Sequence, residues 1–256
     1  MRMIRLVVVT WWLQLKIRSR SAFDGILGLI WPIFFATTVF LMFRAGTQSA
    51  ALVSAAVGAS VMGVWSATST AAGSALQSER FQGTLELMVG APRPFPLLIL
   101  PITLSMATVG AYSMAATLLW GQFVFGIDIV VRDPLAFLLA VLVTVVAIGV
   151  LGFLIAVSSV RYRASWALGN AFEMPVWLIC GFLVPLSALP GWVRPISWVL
   201  APTWGMSAIR AAAEGRTAWL DMALCLGLAA LYGLIGTLLA GRIVDSARVH
   251  ATLALT

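Results

Sequence analysis

Charged residues cluster along this chain, and uncharged runs of membrane-spanning length separate the clusters. Residues 25–43, 45–78, 94–127, 134–160 and 222–241 contain no Asp, Glu, Lys or Arg, and in 164–193 only Glu173 intrudes. About 20 apolar residues suffice for a helix to cross the hydrocarbon core. Lipid offers the backbone no hydrogen-bond partner, so such runs must be helical. The pattern predicts an all-α integral membrane protein with six transmembrane helices, forming a single domain over 1–256. The longer runs are trimmed at Gly, Pro and Ser clusters.

The first twenty residues have a different pattern. Ile4, Val8, Trp11 or Trp12, and Leu15 recur at helical spacing, while Arg2, Arg5, Gln14 and Arg18 fall largely elsewhere. This predicts an amphipathic helix over 1–20 lying at the membrane surface, with its tryptophans at headgroup level. With the N-terminus cytoplasmic, six crossings return the C-terminus to the same side. Eleven of the 16 basic residues then lie inside and five outside. The positive-inside rule therefore favours cytoplasmic termini.

Composition agrees with the run pattern. The chain is 61% hydrophobic and 10% charged, where soluble domains average about 25% charged. The net charge of +7 does not point to nucleic acid, because the basic residues sit in short segments between apolar runs rather than on one exposed face. Cys180 and Cys225 fall inside apolar runs and read as small core residues. The single histidine, His250, lies near the end, so no metal-ligand spacing is present. The basic, apolar start reads as retained rather than as a cleaved signal, because Lys16, Arg18 and Arg20 follow with no small-residue cleavage site.

Two connecting segments carry the candidate chemistry. Residues 77–97 form the sizeable cytoplasmic loop. Glu79 and Glu86 are seven apart and share a face if the helix is continuous. Phe81, Leu85 and Met88 form an apolar stripe at i, i+4 and i+7. A short amphipathic helix there suits docking of a soluble partner, and equally suits capping of the bundle. Residues 187–218 lie outside, with Pro190, Pro195, Pro202, Trp192, Trp198 and Trp204. The uncharged run 195–209 is too short to span and reads as a re-entrant or interfacial element.

The run Glu79-Arg80-x-x-Gly83-Thr84-Leu85-Glu86, followed by Ala91-Pro92, resembles the loop after the second helix of ABC-2 type permeases. Pro185-x-x-x-Leu189-Pro190-Gly191-Trp192, then Ala201-Pro202-Thr203 and Ala208-Ile209-Arg210, resembles that family's segment before the last helix. The order and six spans fit, and the chain resembles daunorubicin-resistance-type drug exporter subunits. The resemblance implies two facing permeases, as a homodimer or with a related chain, above two ABC ATP-binding subunits. It implies that Glu79, Arg80, Phe81, Gly83, Thr84, Leu85, Glu86 and Met88 couple to the ATPase. It places Pro185, Pro190, Trp192, Pro202 and Arg210 at an outer gate. The location implied is a bacterial inner membrane, with outward movement of a drug-like, lipid-like or glycan-linked amphiphile.

The only lysine is Lys16, in Leu15-Lys16-Ile17, which is no Gly-rich phosphate-binding turn. ATP and Mg are therefore expected on a partner ATPase, with no cofactor held by this chain and no catalysis within it. Glu173, with Asn170 nearby, is an intramembrane carboxylate of the kind that faces protein or water. It fits a translocation path or an ion pair with Arg161 or Arg163. Tyr112 and Trp177 fit substrate contact, or packing against lipid and other helices. Two further readings stay open: a proton-coupled transporter using Glu173, and a non-transporting assembly protein in lipid.

Overall fold

The computed structural model describes residues 2–19, 22–44, 49–81, 83, 87–88, 90–91, 94–159, 165–183, 186 and 189–250. Among the described residues there is no strand. The helices are α1 (Arg2–Ser19), α2 (Ala22–Arg44), α3 (Ser49–Phe81), α4 (Pro96–Phe125), α5 (Pro134–Ser159), α6 (Ser165–Ile179), α7 (Val193–Val199), α8 (Ala201–Ala213) and α9 (Trp219–His250). Among the described residues, four stretches are long and apolar enough to cross a membrane: Leu52–Thr70, Pro96–Phe125, Pro134–Ser158 and Trp219–Ile243. In α2 the described apolar stretch, Pro32–Met42, is shorter.

Two expected boundaries shift. The expected loop 77–97 begins later than its charges suggest, because α3 continues through Glu79 and Arg80 to Phe81. A charge ends a membrane crossing but not a helix. At 33 residues, α3 is about 50 Å long and outruns the hydrocarbon core. The expected crossing 164–193 is broken. Helix α6 has 15 residues, about 22 Å, and stops at Ile179.

Helix α3 is the axis of the bundle. Helices α2, α4, α5 and α6 pack along it, α5 in turn carries α8 and α9, and α4 carries α1. The main core joins Val57, Val61 and Trp65 of α3, Ile148 and Leu151 of α5, and Met206 and Ile209 of α8. A smaller core joins Ala72, Ile99, Phe153, Val157 and Ala240. A Cβ at Gly110 would lie 2.8 Å from the Val64 Cα, so the α3 and α4 backbones touch, as small residues permit in membrane bundles. Buried Ser60, Thr68, Ser105, Ser113 and Thr144 donate to carbonyls three or four residues earlier in their own helices. These hydroxyls are thereby satisfied without cross-helix bonds.

Helix α1 lies against α4, with the Trp11 Nε1–H donating to Thr108 Oγ1 at 3.1 Å and Leu15 buried. The expected stripe divides here: Ile4, Val8 and Trp12 are exposed. Helix α1 is thus apolar beyond what the bundle covers.

Candidate functional site

The two ends of the bundle differ in how the chain is interrupted there. The loop end carries the 82–95 connection, and the re-entrant end carries the segment between α6 and α9.

At the re-entrant end, α6 terminates inside the protein. Gly181 adopts φ 75°, a left-handed conformation open to glycine. The Phe182 N–H then bonds the Trp177 carbonyl at 3.1 Å, closing the helix as a Schellman motif does. Cys180, Gly181 and Phe182 are buried, which is where irregular backbone at membrane depth is tolerated.

The next elements form a hairpin. Helices α7 and α8 meet at Leu200, which is extended at φ −95°, ψ 116°. The depth of this break follows from its neighbours. Tyr232, thirteen residues into α9, donates its hydroxyl to the Val199 carbonyl and accepts the Ala201 N–H at 3.3 Å. Thirteen residues of helix measure about 20 Å. Gly205 sits against Thr144, where a Cβ would lie 2.5 Å from the Thr144 hydroxyl. Near the surface the Arg132 N–H bonds the Ala213 carbonyl at 3.1 Å. The break at Leu200 therefore lies about halfway along the apolar part of α9.

Side chains supply what the interrupted backbone lacks. The Ser197 hydroxyl donates to the Ile179 carbonyl at 2.7 Å. The Arg210 guanidinium donates through Nη2 to the Phe182 carbonyl at 3.3 Å, while its Nε is buried with no partner among the described residues. A Cβ on Gly58 of α3 would stand 1.8 Å from that same carbonyl oxygen, so the loop lies in a notch that only glycine leaves open. The Ser207 hydroxyl donates to Asp221 at 2.7 Å.

The gate residues implied by resemblance have different surroundings. Arg210 holds the loop after α6, and Pro202 is buried in the first turn of α8. Pro190 and Trp192 are exposed at the rim. Pro185 lies outside the described residues. Tyr232, Ser197 and Gly58 escaped the sequence reading. The one detectable signal was Tyr232, a phenol in the otherwise aliphatic last run, whose hydroxyl needs a partner when buried.

The path residues do not form one cluster. The Thr70 hydroxyl lies 3.4 Å from Asn170 Oδ1, which sets Asn170 at the edge of the apolar stretch of α3. Glu173 is half-buried and one turn further in. Its expected partners Arg161 and Arg163 lie outside the described residues. Trp177 is buried and meets Phe35 edge-on, with centroids 5.2 Å apart, so within this chain it packs in the core. Tyr112 is exposed on α4, which shares no extended interface with α6.

At the loop end, the continuous helix that would put Glu79 and Glu86 on one face is interrupted. Helix α3 stops at Phe81, and Gly83 turns at φ 70°. The side chains of Glu79, Arg80 and Phe81 are outside the described set, as are Thr84, Leu85 and Glu86 entirely. Leu87 and Met88 resume helical backbone. Met88 packs inward, against the core of Phe95, Ile99 and Phe153 and against Ile102 and Met106. Leu87 points outward and is 73% exposed. The stripe of Phe81, Leu85 and Met88 is therefore not a single outward face. Met88 is an anchor, and among the described residues of this turn Leu87 is an apolar group offered to solvent.

Among the described residues, no cluster of His, Cys, Asp or Glu is arranged to hold a metal ion. Residues 5–213 match the family described as ABC-2 type transporter. No curated protein matches the chain.

Proposed function

Taking as its premise that the chain belongs to the ABC-2 type transporter family, we propose that it is the permease subunit of an ATP-driven exporter, with ATP and Mg on separate ABC ATP-binding chains. The observation that carries this reading is the family match over residues 5–213, which spans both the loop end and the re-entrant hairpin. A P-loop needs a Gly-rich turn before Lys, and Lys16 has none. The loop end faces the cytoplasm in this reading, following the positive-inside distribution. The four long crossings are joined by α2 and by the interrupted α6 to make six. Two permease copies, or this chain and a related one, enclose the path. The cargo class is an amphiphile, drug-like, lipid-like or glycan-linked, moved outward across a bacterial plasma membrane.

Copurification with the ATPase subunits and reconstitution in liposomes tests this reading. ATP-dependent movement of a fluorescent lipid or dye is the expected result. Glu79→Lys and Glu86→Lys are expected to lower the transport obtained per ATP at least fivefold, and unchanged ratios in both would remove these residues from coupling. Movement driven by a pH gradient without ATP, and abolished by Glu173→Gln, would replace the proposal with proton coupling.

A further inference from the structure

We propose that α1 stands inside the bilayer against α4, with its outer face covered by lipid acyl chains, rather than lying at headgroup level. Its depth follows from register. Asp221 and Arg242 bracket the uncharged run 222–241 of α9, about 30 Å of helix, which matches the hydrocarbon core. The middle of the bilayer therefore falls between residues 231 and 232. Glycine contacts carry that level across the bundle. Gly233 lies beside Val150 of α5, Gly149 of α5 lies against Leu104 and Ala107 of α4, and Gly110 of α4 lies against Val64 of α3. Thr108 is thus within about one helical turn, 5 Å, of the middle. Its hydroxyl donates to the Leu104 carbonyl at 2.8 Å and accepts the Trp11 Nε1–H at 3.1 Å. An indole reaches much less far than half the core thickness, about 15 Å. Trp11 therefore lies well below the headgroups.

The start of α2 shows how α1 reaches that depth. Pro32 sits against Gly63, next to Val64, so it too is near the middle. Ala22 is ten residues earlier in the same helix, about 15 Å away towards the loop end. Ser19 is within about 11 Å of Ala22, three residues of chain. About 12 Å of helix then separates Ser19 from Trp11. Helix α1 thus rises from the loop end towards the middle of the bilayer.

The faces of α1 suit that setting. A helix at the membrane surface turns its polar side to water. Here the hydroxyl and amide residues between Arg5 and Lys16, which are Thr10 and Gln14, are half-buried beside Trp11 and the buried Leu15. Ile4, Val8, Val9, Trp12, Leu13 and Ile17 are exposed. This outward apolar face would meet water unfavourably and meets acyl chains without penalty. Arg5 and Lys16, both exposed, flank it about 16 Å apart, and their long stems can carry the charges towards headgroups.

Spin-label depth measurements on the permease in liposomes test the proposal. Nitroxides are placed at Val9→Cys and, in a second protein, at Ile17→Cys. Both positions are exposed on the same face. Cys180 and Cys225 are buried and stay in place, with the parent protein setting the labelling background. Oxygen concentrates in hydrocarbon and the nickel complex NiEDDA in water. The two labels differ by about 12 Å along an upright helix, and the oxygen-to-NiEDDA accessibility ratio is expected to be about tenfold higher at Val9→Cys. Equal ratios at the two positions would mean a helix lying flat at the surface and would overturn the proposal. Low access of both reagents to Val9→Cys would put protein, such as a second copy of the chain, on this face and would equally overturn it. Neither label requires the ATPase subunits, so the outcome stands apart from the transport reading.

Discussion

Met88 at the loop end and Phe182 at the re-entrant end are both points where irregular chain is fastened to the bundle, but by opposite means. Met88 is held by apolar contact with Ile102, Met106 and the Phe95–Ile99–Phe153 core. Such contacts are non-directional and adapt to small shifts, and Met is the most adaptable of apolar side chains. Phe182 is held by a directional bond from Arg210 and by the notch at Gly58. Ile179, Val199 and Ala201 nearby are each capped by a hydroxyl. In a low-dielectric setting directional bonds fix one geometry. The loop end is therefore the more compliant of the two and the hairpin end the more rigid.

Gly58 is where the rigidity of the hairpin end is tested most severely. A Cβ there would stand 1.8 Å from the Phe182 carbonyl oxygen, which is backbone and has no rotamer by which to retreat. Gly58→Ala is expected to destabilise the protein by about 3 kcal/mol, the upper range for overpacking a core, and to detach the Arg210 bond. Unfolding by SDS titration in mixed micelles measures it. A variant as stable as the parent would mean that the loop is compliant after all and that the contrast is false.

Met88→Ala probes the other end. Met88 is partly buried, so removing its side chain is expected to cost about 1–2 kcal/mol, below the range for fully buried methionines. Met88→Leu is expected to recover most of this, because an adaptable apolar contact tolerates a change of shape. Thermal unfolding of the detergent-solubilised permease compares the two. If Leu is no better than Ala, the contact is as specific as those at the re-entrant end.

The two ends were unequally legible in the sequence, and the reason is physical. Lipid imposes a length on every crossing, so the runs at 94–127, 134–160 and 222–241 correspond to α4, α5 and the apolar part of α9. The same logic overlooked the break at Gly181, because Cys180, Gly181 and Phe182 are as apolar as a helix interior. That helix ends through a left-handed glycine and through partners 18 and 28 residues away, Ser197 and Arg210, and hydropathy carries no trace of either. The loop after α3 starts later than its charges suggest, for the opposite reason. Glu79 and Arg80 ended an uncharged run, yet both are good helix formers in water. The turn came at Gly83, where glycine accommodates positive φ.

The smallest expected effect on stability separates docking from packing most cleanly. Leu87 is 73% exposed and lies beside a residue that is anchored. Replacing it with Ser removes apolar surface that the fold does not bury, so the change in stability is expected to stay within about 0.5 kcal/mol, as for ordinary surface sites. An apolar side chain left outward on a turn whose neighbour is fastened inward is pre-positioned for a partner, and pre-positioning lowers the ordering cost of association. Leu87→Ser is therefore expected to weaken binding of the ATPase subunits to nanodisc-embedded permease about tenfold, a loss near 1.4 kcal/mol, while thermal unfolding stays at the parent value. Met88→Ala is expected to weaken binding through a different route, by releasing the turn, and so to lower stability and affinity together. A Leu87→Ser protein that binds like the parent would remove Leu87 from docking.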